Sequence, residues 1–355
     1  MINKKLKLPV LTAIVASTVF GCHSGNQQDK GISITPEAGT LYKTGDKVAV
    51  KVAYGNIKPD SIAYLIDSVR IGSGKDSSGF FVKTDSLSLG PKTITAKVYQ
   101  GGKSQEISTN IVLVPSKAPE ELTYKVINKF PHDTSAYTEG LLYQDGYLYE
   151  STGNEGHSDI RKVDLLTGKV VQRQKLEKKY FGEGSAIIGN KIVMFTYKNK
   201  VGFVFDKNTM KPLSQFVNNV GVEGWGVTFD GNKIYLDDST NRIWFLDKNT
   251  YRQIGFIDVY DEKGPVSEVN ELEYIDGKLY SNVYTTDMIL VINPKTGAVM
   301  QRVNMANLWP EAQRPADFDG SNNVLNGIAW DAKGKRLFVT GKKWPWVYQV
   351  EFVKK

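Results

Sequence analysis

The chain has 355 residues, 41% of them hydrophobic and 23% charged, with 33 Gly and 13 Pro. These are the proportions of a folded, core-burying protein, and the length suits two domains of ordinary size. One Cys and three His exclude a disulfide framework and a zinc centre built from Cys and His, which leaves carboxylates, amides, Lys, hydroxyls and aromatic rings for any chemistry.

Part of the +7 formal charge lies at the very start of the chain. Lys4, Lys5 and Lys7 precede an uncharged stretch, Leu8 to Gly21, which is too short to span a bilayer and ends at Cys22. A charged head, a short apolar core and a small residue before the lone Cys form the pattern of a lipoprotein signal over residues 1–21, with Cys22 as the lipidation site. Val19-Phe20 departs from the usual residues of that box. Removing the three lysines lowers the charge from +7 to +4, which gives nucleic acid little to bind. The expectation is an exported cell-envelope lipoprotein, periplasmic or at the outer membrane, held through a lipid anchor.

Residues 22–116 open with a polar tether, His23 to Lys30, followed from Ile32 to Val114 by short runs of period-two alternation. Val48, Val50 and Val52 form one such run and Ile94, Ala96 and Val98 another, with Gly90-Pro91 and Gly101-Gly102 read as turns. This spacing predicts a small Ig-like β-sandwich. Pro115 to Glu121 then reads as a stiff linker, placing the second domain in residues 117–355.

From Leu122 onward the sequence repeats. One β-signal recurs at Gly146-Tyr-Leu-Tyr149, Asn190-Lys-Ile-Val193, Asn232-Lys-Ile-Tyr235, Gly277-Lys-Leu-Tyr280 and Lys335-Arg-Leu-Phe338, at intervals of 44, 42, 45 and 58 residues. A turn signal follows in four units, at Asp164-Leu-Leu-Thr-Gly168, Asp206-Lys-Asn-Thr209, Asp247-Lys-Asn-Thr250 and Asn293-Pro-Lys-Thr-Gly297. Periods of about 40–50 residues made of strands and turns predict an all-β, five-bladed β-propeller, with Asn304 to Asn323 as a loop inserted between the fourth and fifth blades.

Aligning the units places Gly140, Gly184, Gly226, Glu271 and Gly327 in register, each preceded by a candidate axial residue: Glu139, Glu183, Trp225, Asn270 and Asn326. A second equivalent set holds Gly153, Tyr197, Ser239, Tyr284 and Lys342. A structural channel would repeat one residue type; these positions instead mix carboxylates, carboxamides, an ammonium and rings, which points to a site for a small polar or cationic ligand. Taken singly, each has a plainer explanation: solvated or cation-binding glutamates, a core Trp, a turn Asn, a surface Lys. His132 and His157 read as turn or capping residues, and Asp237-Asp238 with Asp317-Phe-Asp319-Gly320 form a loose calcium-ligand pattern that leaves a structural calcium open.

Phe130-Pro-His-Asp133, Tyr137-Thr-Glu-Gly-Leu141, Glu150-Ser-Thr-Gly153, Tyr180-Phe-Gly-Glu-Gly184, Glu223-Gly-Trp-Gly226, Asn270-Glu-Leu-Glu273, Asn282-Val-Tyr-Thr-Thr-Asp287, Leu325-Asn-Gly-Ile328 and Thr340-Gly-Lys-Lys-Trp-Pro345 together resemble the plant-type glutaminyl cyclases. The resemblance runs from about Tyr124 to Val350, in order. It implies a five-bladed propeller that needs no cofactor and turns the N-terminal Gln of peptides or proteins into pyroglutamate with release of ammonia. It further implies a catalytic Glu183 acting as general base and acid, with Lys342 and Asn270 beside it. Tyr137, Glu139, Phe181, Tyr197, Trp225, Tyr284 and Asn326 would bind substrate. The chain departs from the family in having Glu139 where Gln is usual and Tyr197 and Tyr284 where Trp is usual. A monomer is expected. Two other readings stay open on the sequence: a metal-dependent, lactonase-like propeller hydrolase and a non-catalytic envelope binding propeller.

Overall fold

The computed structural model describes residues 32–55, 58–75 and 79–355, so the signal segment, Cys22 and the tether lie outside the described residues. In the N-terminal region a three-stranded and a five-stranded sheet enclose one core. Val48, Val50 and Val52 on strand Lys47–Ala53, and Ile94, Ala96 and Val98 on strand Gly90–Gln100, point into it because alternate side chains of a strand share a face. Gly101-Gly102 turns the long hairpin, whereas Gly90-Pro91 begins a strand and pairs with Leu113 and Val112, a correction to the expected turn. Tyr260 of the C-terminal region packs into this same core.

The linker is shorter than expected, because Glu120 and Glu121 already belong to strand Glu120–Pro131. Three separate four-stranded antiparallel sheets follow, over 138–175, 182–217 and 227–258. An eight-stranded sheet contains two further four-stranded sets, one from 269–304 and one from 325–354 completed by Glu120–Pro131. The closing strand, absent from the repeat count, runs antiparallel to Trp346–Lys354, so the first strand of the region is fixed by its last. The inner strands of the five sets, beginning near 138, 182, 227, 269 and 325, neighbour one another in a closed cycle. This is the all-β propeller arrangement.

The outer hairpins follow directly from the turn signal. Asp164 Oδ1 accepts bonds from the Thr167 N–H (2.9 Å) and Oγ1 (2.7 Å), and Asp206 with Thr209 and Asp247 with Thr250 do the same. The axis is built by close backbone approach. A methyl group added at Gly184 would stand 2.4 Å from the Trp225 carbonyl oxygen, and one at Gly226 would stand 2.5 Å from that of Asn270. Where the series has Glu271 instead, its carboxylate accepts the Leu141 N–H (3.1 Å) and the Ile328 N–H (2.8 Å), tying the first and last inner strands to the fourth.

Gly184→Ala is therefore expected to force the second and third sheets apart and to cost about 1–3 kcal/mol of stability, the usual penalty of overpacking. Urea denaturation of the variant checks this, and a stability equal to the unsubstituted protein would contradict it.

Candidate active site

The ring residues sit where each inner strand breaks register. The pairing shifts between Thr138 and Gly140, Gly182 and Ser185, Val269 and Leu272, and Leu325 and Ile328. Glu139, Glu183, Asn270 and Asn326 occupy these irregularities, which re-aim a side chain out of the sheet. Trp225 lies just before its strand, with its N–H donating to the Asp237 carbonyl (3.2 Å).

A second regularity fixes the outer ring. The N–H groups of Gly153, Tyr197, Tyr284 and Lys342 donate to the carbonyls of Tyr137, Phe181, Glu268 and Val324, each two residues before an axial residue. Tyr137 and Phe181 are thus equivalent positions, a relation the repeat already contained at that offset. Ser239, the fifth member of the expected set, has a left-handed φ of 75° and offers its carbonyl to the Glu268 N–H; it contributes only backbone here.

Three ionisable groups meet at the axis. Lys342 Nζ stands 2.8 Å from Glu139 Oε1 and 2.7 Å from Oε2, and both side chains are buried. Asn326 Nδ2 donates to the Thr138 carbonyl (2.9 Å) and more loosely to Glu139 Oε2 (3.4 Å). The buried Glu183 carboxyl hydrogen-bonds to Glu139. Burial, then the Glu139 charge, pushes Glu183 well above the usual carboxylate range. Burial also raises Glu139, against the pull of Lys342. Burial works against the Lys342 charge, but Glu139 and Glu183 outweigh it and hold the ammonium above its ordinary value.

Rings enclose these charges. Tyr137 and Phe181 meet edge to face at 6.3 Å, Phe181 and Tyr197 lie 5.5 Å apart, and Trp225 and Tyr284 lie 5.4 Å apart. Lys342 Nζ is 4.6 Å from the Tyr137 ring centroid and 5.3 Å from that of Tyr284. Gly153 is small by necessity, since a methyl there would meet Phe181 at 2.4 Å and Glu139 Oε1 at 2.9 Å. Asn270, at the equivalent axial position of the fourth sheet, is buried with its Oδ1 free of any hydrogen-bond partner. The structure therefore brings together Glu139, Glu183, Lys342, Asn326 and the five rings, while Asn270 is placed with them by its equivalent position and its buried, open Oδ1.

Two contributors escaped the sequence reading. Glu223 accepts the Trp225 indole N–H (3.0 Å), fixing that ring, and pairs with Lys198 at 3.3 Å. His132, expected in a turn or cap, is instead buried between acceptors, with Nδ1 2.7 Å from the Trp344 carbonyl and Nε2 2.9 Å from Glu150 Oε1. Both ring nitrogens donate, so the imidazolium form is favoured: burial opposes it, but Glu150 and the Trp344 carbonyl raise its pKa above the ordinary value. Glu150 also accepts from Thr138 Oγ1 (2.7 Å), so one buried pair steadies the residue before Glu139 and the loop after Lys342. His157 lies in a turn, as expected, with its N–H on the Asn154 carbonyl. Two of the calcium-like carboxylates serve local structure, Asp238 accepting from Val222, Thr240 and Trp244 and Asp319 from Ser321 and Asn322, while Asp237 accepts the Gly226 N–H (3.0 Å) and keeps a buried Oδ2 without a partner. Among the described residues no three His, Cys, Asp or Glu are grouped to hold a metal ion.

Fold and site together define a propeller whose axis gathers two carboxyls, one ammonium and a wall of aromatic rings. Residues 95–352 match the family model described as glutamine cyclotransferase, and the chain belongs to that family. It is 37% identical to the glutaminyl-peptide cyclotransferase of Arabidopsis thaliana over 232 residues, 64% of this chain and 70% of the relative. The crystal structure of Myxococcus xanthus glutaminyl cyclase superposes with a TM-score of 0.60 and 27% identity, covering 66% of this chain and 98% of that one.

The His132–Glu150 pair has a defined pH window. The His132 contribution is complete below its unfolded value of 6.5 and is lost as pH rises through its raised folded value. Glu150, lowered in the fold because His132 outweighs the cost of burial, contributes above its unfolded value of 4.5 and loses this as pH falls through its folded value. His132→Ala leaves a buried carboxylate unpaired and is expected to cost about 3–5 kcal/mol. Urea denaturation should show that cost greatest between the two unfolded values and smaller in alkali; a cost independent of pH would contradict the assignment.

Proposed function

We propose that this protein is a glutaminyl-peptide cyclotransferase in which Glu183 carries the proton between the attacking amine and the leaving ammonia. The observation that carries the mechanism is the pairing of Glu183, raised well above the carboxylate range, with a Glu139 already satisfied by Lys342. A base and acid works best when its pKa lies near the working pH, and burial beside a like charge moves Glu183 in that direction.

The rings of Phe181, Tyr197, Trp225 and Tyr284 exclude water and fold the Gln side chain so that the α-amine faces its own γ-carbonyl. The neutral amine nitrogen attacks that carbon, and ionised Glu183 takes an N–H proton as the ring closes. Lys342, its ammonium already placed between Glu139 and two rings, stabilises the oxyanion. The open Oδ1 of Asn270 accepts a hydrogen bond from the departing carboxamide nitrogen. Glu183 returns its proton to that nitrogen, the C–N bond breaks, and ammonia leaves beside pyroglutamate. Tyr137 stays a phenol throughout, since burial raises it to about 12. The charged head and short apolar core of residues 1–21, directly before Cys22, support the further proposal of a cell-envelope lipoprotein anchored through Cys22.

Incubation with a Gln-initiated peptide should release one ammonia and about 17 Da per molecule, while the Asn-initiated counterpart is not turned over, because its shorter side chain would close a four-membered ring. Glu183→Gln, which keeps shape but removes the base, is expected to lower kcat by about 10²–10⁴-fold. Near-normal turnover by a folded Glu183→Gln protein would refute the role.

A further inference from the structure

We propose that the cavity beside the site mouth binds the second to fourth residues of the substrate chain and selects an aromatic side chain there. This rests on the cyclotransferase reading, which fixes the direction of the substrate: the Gln side chain and α-amine lie at the axis, and everything on the carboxyl side must leave through the mouth.

A cavity of about 700 Å³ lies beside the site, with Lys343, the residue after Lys342, in its lining. The shared ridge is made by Tyr137 and Lys343. Tyr137 forms the site wall below Lys342, and its hydroxyl donates to the Asn322 carbonyl (3.3 Å) at the edge of the cavity. Lys343 lines the cavity while its ammonium lies 5.9 Å from the Tyr137 ring centroid. Its left-handed backbone, φ 58°, is secured by its N–H on the Ala136 carbonyl (2.7 Å), so the residue next to Lys342 is turned outward.

The far wall comes from the 304–323 insertion, the one long departure from the repeat. It is firmly built. Trp309 packs edge to face on Phe318 at 4.7 Å and lies 5.5 Å from Trp344. Arg314 donates twice to the Trp309 carbonyl (3.1 and 2.9 Å), and the Trp344 indole N–H donates to the Asn323 carbonyl (2.9 Å). On the opposite side Trp346 is half-buried, with Lys129 Nζ 4.3 Å from its ring centroid. Phe318, Pro345 and Trp346 therefore offer apolar surfaces for a ring to stack, and the polar lining is mixed, Lys129 and Lys343 standing with Asp317 and Asp319 to meet peptide carbonyls and N–H groups. An extended chain advances about 3.3–3.6 Å per residue, so two or three residues after Gln extend about 7–11 Å, more than the 5.9 Å between the Tyr137 ring and the Lys343 ammonium that lines the cavity.

The test compares kcat/KM for Gln-Ala-Phe-Ala-amide, Gln-Ala-Ala-Ala-amide and free glutamine amide, in the unsubstituted protein and in Trp346→Ala and Phe318→Ala. The aromatic peptide is expected to be favoured at least fivefold over the alanine peptide, and both substitutions should reduce that preference to within twofold while leaving glutamine amide turnover unchanged. Turnover of glutamine amide without an aromatic preference, or a preference that survives both substitutions, would overturn the subsite alone. Absence of glutamine amide turnover in the unsubstituted protein would overturn the assigned reaction and the subsite with it.

Discussion

Two buried carboxyls share one buried cation at the axis of this molecule, and the chemistry depends on that imbalance. Lys342 neutralises one negative charge, and Glu139 holds it by both oxygens. Glu183 then faces an ionised neighbour in a site that disfavours a second charge, so it binds a proton far more tightly than a solvated carboxylate. A residue that was merely acidic would make a poor base. A residue raised in this way can accept a proton from an amine and return it within one turnover. The Glu139 of this chain, where its resembled family usually has Gln, sharpens the effect by adding the charge that raises Glu183.

The fold holds that arrangement by rigidity at close quarters. Breaks in strand register turn the axial side chains inward, and small residues beside them let neighbouring backbones approach closely enough to enclose the pocket. Glu271 then bridges inner strands by accepting two backbone N–H groups, and the His132–Glu150 pair joins the segment before Glu139 to the loop after Lys342. Glu139 and Lys342 come from opposite ends of the repeat region, and the strand Glu120–Pro131, paired with Trp346–Lys354, brings those ends together. The ion pair is thus positioned by the ring closure itself.

The repeat made much of this legible. Equivalence of position in successive units picks out Glu139, Glu183, Asn270, Asn326 and Lys342, because strand packing alone does not call for so mixed a set of polar groups at equivalent positions. Phe181 and Tyr137 belong to neither of the two equivalent sets, although they share one offset from their axial residues in the structure. The closing strand was missed because it precedes the first repeat and carries no second-strand signal. Beside Pro131, His132 reads as a turn residue, since its partner, the Trp344 carbonyl, lies 212 residues away and backbone acceptors leave no mark in a sequence. Glu223 was hidden for a similar reason: its role depends on the direction of one indole N–H.

The most direct test of this arrangement of two carboxyls and one cation is the pH dependence of kcat/KM in Glu139→Gln. The acid limb should report ionisation of Glu183, and removing the adjacent charge, with Lys342 left free to pair with it, should move that limb to lower pH. An acid limb that stays where it is in the unsubstituted enzyme, in a folded and active variant, would show that Glu139 does not set the affinity of Glu183 for its proton and would contradict the account.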